Sequence, residues 1–327
     1  MNHKFNIKRL LETAYLTGIT VILVIIGYYI PAWMTYTVFL STIPLVIITV
    51  RNNEKTAVLS AFIAYFFILL LTNEIVFASI TAMRFSFPGL VLGYGMKRRW
   101  DFQKVLISSS GAYLFSLLLI IFIISNMKGV NQIDAMIGQY LNDFDRSVEE
   151  MNKVFKDVQI STDNLKVFKD LFTYLIPGFF IISSAFFGFI ALNLSKALLT
   201  RFGYDYKHMP AFSELGVNRE TTFVFLVSFV LSMLITSIPF SAAFANISLI
   251  LAMIFMVCGV SILDFFLKKK GIPGLIRTIL YMIGLGVMVI IAVVIPILHP
   301  IYVLIVLTLM DSTLDFRKLK HKGEKHG

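Results

Sequence analysis

Arg84 sits about nine residues into an apolar run, in the stretch Thr81-Ala82-Met83-Arg84-Phe85-Ser86-Phe87-Pro88-Gly89. A guanidinium at the centre of a membrane helix costs roughly 2.5–3.5 kcal/mol on insertion scales, so its presence calls for a reason. Pro88 has no N–H to give to the carbonyl of Arg84, four residues back. A fixed positive charge is therefore expected beside a broken turn, an arrangement tolerated where protein or a watery cavity surrounds it. Arg84, Pro88 and Gly89 form a candidate site for an anionic or carbonyl-bearing ligand. The structural alternative is an ion pair, or an arginine bonded to neighbouring carbonyls. Glu74, Asp264 and Asp311 are the available counter-charges, and none stands out as the partner. Asp264 and Asp311, together with Asp315, are also candidate ligand or ion positions. Asp311 and Asp315, four apart, are expected to share one helix face.

Other chemistry is thinly represented. There is no phosphate-binding Walker loop, no Gly-x-Ser-x-Gly and no His-Glu-x-x-His, and the acidic pair at helical spacing, Asp311 and Asp315, falls at the end of the last span. His3, His208, His299, His321 and His326 are scattered, and Cys258 is a lone thiol within an apolar run. Neither a metal site nor a disulfide framework is expected, and no cofactor is implied. The chain reads as a non-enzyme. An intramembrane enzyme acting on a lipid-linked substrate is the weakest reading, because no catalytic residues can be named for it.

The elements that would position Arg84 follow from hydropathy. The chain is 57% hydrophobic and 15% charged, with a mean hydropathy of +0.82. Soluble domains carry about 25% charged residues. Lipid is thus the expected solvent, and the fold class an all-α polytopic membrane helical bundle. A span needs about 20 apolar residues, and ten stretches qualify: 12–30, 33–50, 56–72, 75–96, 104–126, 171–195, 221–239, 246–267, 274–296 and 299–316. The basic start, Lys4, Lys8 and Arg9, precedes an apolar run with no small-x-small cleavage site, which reads as a retained first span rather than a leader. With the N-terminus inside, Lys and Arg at 4–9, 51–55, 97–104, 196–219, 268–277 and 317–325 are all cytoplasmic, 22 of the 29. The short outer turns hold none. Both termini are therefore expected in the cytoplasm of a bacterial cytoplasmic-membrane protein. The same distribution accounts for the net charge of +10, and no cytoplasmic segment is long enough for a nucleic-acid-binding module.

The chain divides into a first half of five spans (1–126), a polar insertion (127–170), a second half of five spans (171–316) and a basic cytoplasmic tail (317–327). Within the insertion Ile137, Leu141, Phe144, Val148, Met151, Phe155 and Val158 recur at spacings of four and three. That is a heptad stripe on an extracytoplasmic amphipathic helix over about 132–159. The stripe packs on the protein's own surface or in the lipid interface, or it is a seam for a second copy or a protein partner. Small residues at Gly89, Gly93 and Gly95, and at Gly178, Ser184, Ala185 and Gly188, suit close helix contact.

The closing run Asp311-Ser312-Thr313-Leu314-Asp315-Phe316-Arg317-Lys318 resembles the Asp-x-x-x-Asp-Phe-Arg-Lys signature of the YybS-like family of bacterial membrane proteins, a family of unknown function. The layout is similar throughout: a basic N-terminus, a Gly-rich fourth span ending in Lys97-Arg98-Arg99, a long outer helix and a cytoplasmic Pro-x-Phe loop at Met209-Pro210-Ala211-Phe212. Glu214-Leu215-Gly216-Val217-Asn218 departs from the Trp-x-Leu-Pro stretch that follows in the family. That family distantly resembles the substrate-binding subunits of energy-coupling-factor transporters, which implies a membrane-embedded small-molecule site. The expected function is binding or transport of a small solute, driven by an ion gradient or a coupling partner. The alternative is a non-transporting adaptor that organises an envelope or signalling partner.

Overall fold

A computed structural model describes residues 2–129, 131–154, 162–204, 211–235, 237–292 and 299–317. Helix forms wherever the apolar stretches lie. The helices are α1 (Asn2–Tyr29), α2 (Met34–Leu40), α3 (Thr42–Arg51), α4 (Glu54–Thr72), α5 (Ile75–Lys97), α6 (Phe102–Lys128), α7 (Gln132–Val154), α8 (Thr162–Arg201), α9 (Arg219–Leu234), α10 (Ile238–Lys269), α11 (Gly274–Ala292) and α12 (Pro300–Leu314). Strand is absent among the described residues. The protein is an all-α polytopic bundle. Seven stretches are long and apolar enough to cross a membrane: 7–29, 31–51, 54–72, 75–97, 102–127, 173–201 and 239–269. Of the remaining three expected spans, two fall on shorter apolar helices, within α11 and α12, and one on α9.

Two prolines behave differently from the sequence expectation. The turn around Pro88 does not break, and α5 continues through it to Lys97. The second span is the one in pieces. A 3-10 turn (Pro31–Trp33), α2 and α3 follow one another, with the interruption at Ser41. Pro44 lies three residues on; its ring crowds the carbonyl of Leu40 and it supplies no N–H there.

The chain forms two compact units, one of residues 1–169 with 180–209 and the other of 170–179 with 210–327. In the first unit α3 is the central post, with every residue from Thr42 to Val50 buried. A helix hydrophobic all round belongs in the middle of a bundle. Its Ile43, Val46, Ile47 and Val50 pack with Leu92 and Met96 of α5 and with Ala191, Leu192 and Leu199 of α8. On its other face Leu45 and Ile48 meet Val24 of α1, Ala61 and Ile68 of α4, and Phe85 of α5. Glycines permit the closest approach. A Cβ at Gly93 would lie 2.5 Å from Thr49 Cβ, and one at Gly89 3.1 Å from Leu45 Cδ2.

Polar contacts gather alternate helix ends. Glu12 pairs with Arg51 at 2.6 Å, Asn52 donates to Thr13 Oγ1 at 2.6 Å, Lys97 meets Glu54 at 3.4 Å, and the Tyr204 hydroxyl donates to Met96 O at 2.9 Å. These are the ends of α1, α3, α4, α5 and α8 rich in basic residues. At the opposite end the Tyr28 hydroxyl donates to Glu74 at 2.7 Å. Successive spans of the first unit thus run antiparallel, as the basic-residue count requires.

In the second unit, the Thr222 hydroxyl donates to Ser312 Oγ at 2.9 Å, and Ser261 donates to Phe212 O at 2.6 Å. Far from that end Asn246 of α10 enters the backbone ladder of α8. Gly178 N donates to Asn246 Oδ1 at 2.6 Å, and Asn246 Nδ2 donates to Tyr174 O at 2.8 Å. One carboxamide thereby satisfies a donor and an acceptor that an undisturbed helix would pair with each other, next to Pro177.

Candidate functional site

Arg84 lines a half-open cavity of about 240 Å³ in the first unit. Thr35, Val38 and Phe39 come from α2; Tyr113, Ser116 and Leu117 from α6; and Ser183, Ser184 and Phe187 from α8. Phe39, Tyr113 and Phe187 form an aromatic wall, with ring centroids 5.4 Å apart for Phe39–Phe187 and 6.1 Å for Tyr113–Phe187. The Arg84 guanidinium is half-buried and makes no hydrogen bond or ion pair with a described residue. The Tyr113 hydroxyl is buried without a well-formed hydrogen bond, although Thr42 Oγ1, likewise unsatisfied, lies close by. By contrast, Ser116 donates to Met83 O at 2.9 Å, beside the turn that Pro88 deprives of a donor. Ser183 donates to Phe180 O at 3.0 Å. A cation walled by aromatics and hydroxyls can receive a carboxylate, a phosphate or a carbonyl oxygen.

Pro88 and Gly89 serve this site indirectly. Both are buried, and Gly89 lets α5 press on Leu45 and the Thr42 carbonyl of α3. The acidic candidates have other roles. Asp264 is buried and pairs with Arg277 Nε at 2.7 Å. Asp311 accepts from Arg317 Nε at 3.0 Å and Nη2 at 2.7 Å. Arg317 is only 5% exposed. It also donates to Ser213 O, Ser261 Oγ and Leu215 O, at 3.0, 2.9 and 2.9 Å.

The closing signature is therefore a clamp that holds the loop after Ala211 against α10 and α12. Asp315 does not share a helix face with Asp311. It lies one residue beyond α12 in a left-handed conformation, φ 47°, and its N–H closes the helix on Asp311 O at 2.8 Å.

The heptad stripe falls on α7 at Ile137, Leu141, Phe144, Val148 and Met151, with Ile137 and Leu141 half-buried. Phe155 and Val158 lie outside the described residues.

Sequence reasoning located Arg84 but not its surroundings. Tyr113, Ser116, Ser183 and Thr35 are ordinary residues for membrane helices, and only the packing of four helices brings them to one cavity. The arginine partner of Asp311 was present in the signature itself, six residues on, where the left-handed turn at Asp315 brings it back.

Seven helices long and apolar enough to cross a membrane define an integral membrane protein. The chain belongs to the family described as predicted membrane protein (DUF2232), which matches residues 18–309. It is 24% identical over 291 residues to the "Uncharacterized protein YybS" of Bacillus subtilis (strain 168), covering 85% of this chain and 90% of that protein. No solved structure matches, so the further likeness to energy-coupling-factor subunits stays an expectation.

Proposed function

We propose that this protein binds a small anionic solute at Arg84 and carries it across the membrane or delivers it to a coupling partner. The observation that carries this reading is the guanidinium on the cavity wall with no bond to a described residue. A structural arginine would be expected to have a carboxylate or a set of carbonyls, as Arg317 has. An arginine kept in an apolar helix without them is offset by water in the cavity or by a ligand that supplies the negative charge, and a bound anion is the stronger of the two. The cavity volume equals that of about eight water molecules, below the usual 300–1,000 Å³ of drug-sized sites. A short organic acid suits it better than a nucleotide or a peptide. No nucleotide-binding loop is present in the sequence, so an ion gradient or a partner would supply the energy. In this reading the basic helix ends face the cytoplasm.

The test is uptake of small carboxylates by proteoliposomes. Arg84→Ala is expected to abolish uptake while the protein inserts with normal helicity. Unchanged uptake in that variant would remove the site. The adaptor reading rests on the one-sided apolar stripe of α7. Replacing Phe144 and Phe155 with Glu would abolish self-association or partner co-purification if it holds.

A further inference from the structure

A second concavity, independent of the Arg84 cavity, runs between α1 and α4 along the outside of the first unit. It has a volume of about 590 Å³. The two helices start at the same end, and their polar residues lie there: Arg9 and Thr13 on α1, with Asn52, Asn53 and Thr56 at the start of α4. Beyond them the lining becomes apolar, through Gly18 and Ile22 on α1 and Ile63 and Phe67 on α4.

Three observations say what this groove takes. First, its length fits one leaflet. Arg9 and Ile22 are about 20 Å apart along α1 at 1.5 Å per residue, against half of a hydrocarbon core about 30 Å thick plus its interface. Second, its floor offers little polar competition for an acyl chain. Thr13, Thr17 and Ser60 turn their hydroxyls back to carbonyls of their own helices, Arg9 O, Thr13 O and Thr56 O, at 2.9, 2.8 and 2.9 Å. Third, Gly18 has no packing reason to be glycine. A Cβ there would meet nothing within 4 Å, whereas Gly89 and Gly93 are pressed by α3. Glycine in a helix interior costs about 1 kcal/mol relative to alanine, and here it widens the groove midway along its length.

We infer that this groove holds one anionic glycerophospholipid, its phosphate at the exposed Arg9 and an acyl chain along Gly18, Ile22, Ile63 and Phe67. Positive charge at the interface and an apolar track beneath it match the two ends of such a lipid. The leaflet is the one on the side where the basic helix ends gather.

The test uses the full chain in nanodiscs of equimolar phosphatidylglycerol and phosphatidylethanolamine, extracted into mild detergent and weighed by native mass spectrometry. Wild type and Gly18→Ala should each retain one phosphatidylglycerol per chain. Gly18→Phe, which fills the groove, should lower that retention about tenfold, a change of about 1.4 kcal/mol. Arg9→Gln should remove the preference for phosphatidylglycerol over phosphatidylethanolamine while leaving helicity unchanged.

Retention of the two lipids in their bulk ratio by wild type would overturn the inference. So would equal retention by Gly18→Phe with native helicity, or a second copy of the chain covering the groove in a lipid-free dimer. If Gly18→Phe loses helicity, Arg9→Gln decides: an unchanged preference overturns the site. Binding of glycerol phosphate without a lipid would also overturn it.

Discussion

A buried arginine and a half-buried one in this chain do opposite things. Arg317 is saturated by Asp311, Ser261 and two loop carbonyls, whereas Arg84 has no bond to a described residue and lines a cavity. Removing the first should cost structure. Arg317→Ala leaves Asp311 buried and uncompensated, and the expected loss is about 3–5 kcal/mol, measured as a lowered thermal midpoint in detergent. Arg317→Lys should recover little of it, because a lysine cannot form the two-pronged contact with Asp311 and reach Ser213 as well. Removing the second should cost binding and leave stability unchanged or slightly improved. The cost of Arg84 could be read from the sequence, since charge in an apolar run is conspicuous. The bonding of Arg317 could not, because it depends on a left-handed turn and on a loop far away in sequence.

The spans were legible in number and place, because about twenty apolar residues leave little choice of structure in lipid. Several ends were not: α1 begins ten residues before the expected 12, α10 eight before the expected 246, and α9 ends five before the expected 239. Where a helix would break was not legible. Pro88 and Pro44 are equally proline, but α5 runs on through Pro88 while the second span is interrupted just before Pro44. Near Pro88, Ser116 of the neighbouring helix bonds the Met83 carbonyl, a contact between helices that no single helix reveals. The glycines of α5 could be read as packing residues, though their partner, α3, could not. Gly93→Val is expected to destabilise by about 1–3 kcal/mol, because its side chain would collide with Thr49. Gly18→Ala should not, since that position opens on empty space. Comparing the two thermal midpoints checks the assignment of α3 as the central post.

Across the whole molecule, the gathering of basic helix ends within each unit agrees with the positive-inside count, and it makes topology testable. With Cys258 replaced by serine, single cysteines at Asn73 and Tyr29 should react with a membrane-impermeant maleimide from outside intact cells. Those at Asn53, Gly203 and Gly271 should react only after permeabilisation. The division of the chain into two units, with the boundary inside α8, was not legible, because nothing in that apolar run separates the residues before Phe180 from those after it. The most direct test of the Arg84 site is native mass spectrometry of wild type and Arg84→Ala, purified identically and then denatured to release small molecules. A small anion released from wild type at one per chain and absent from Arg84→Ala, with helicity equal in both, is the predicted result. The same anion in both proteins, or none from wild type even after incubation with a panel of short carboxylic acids, would contradict it.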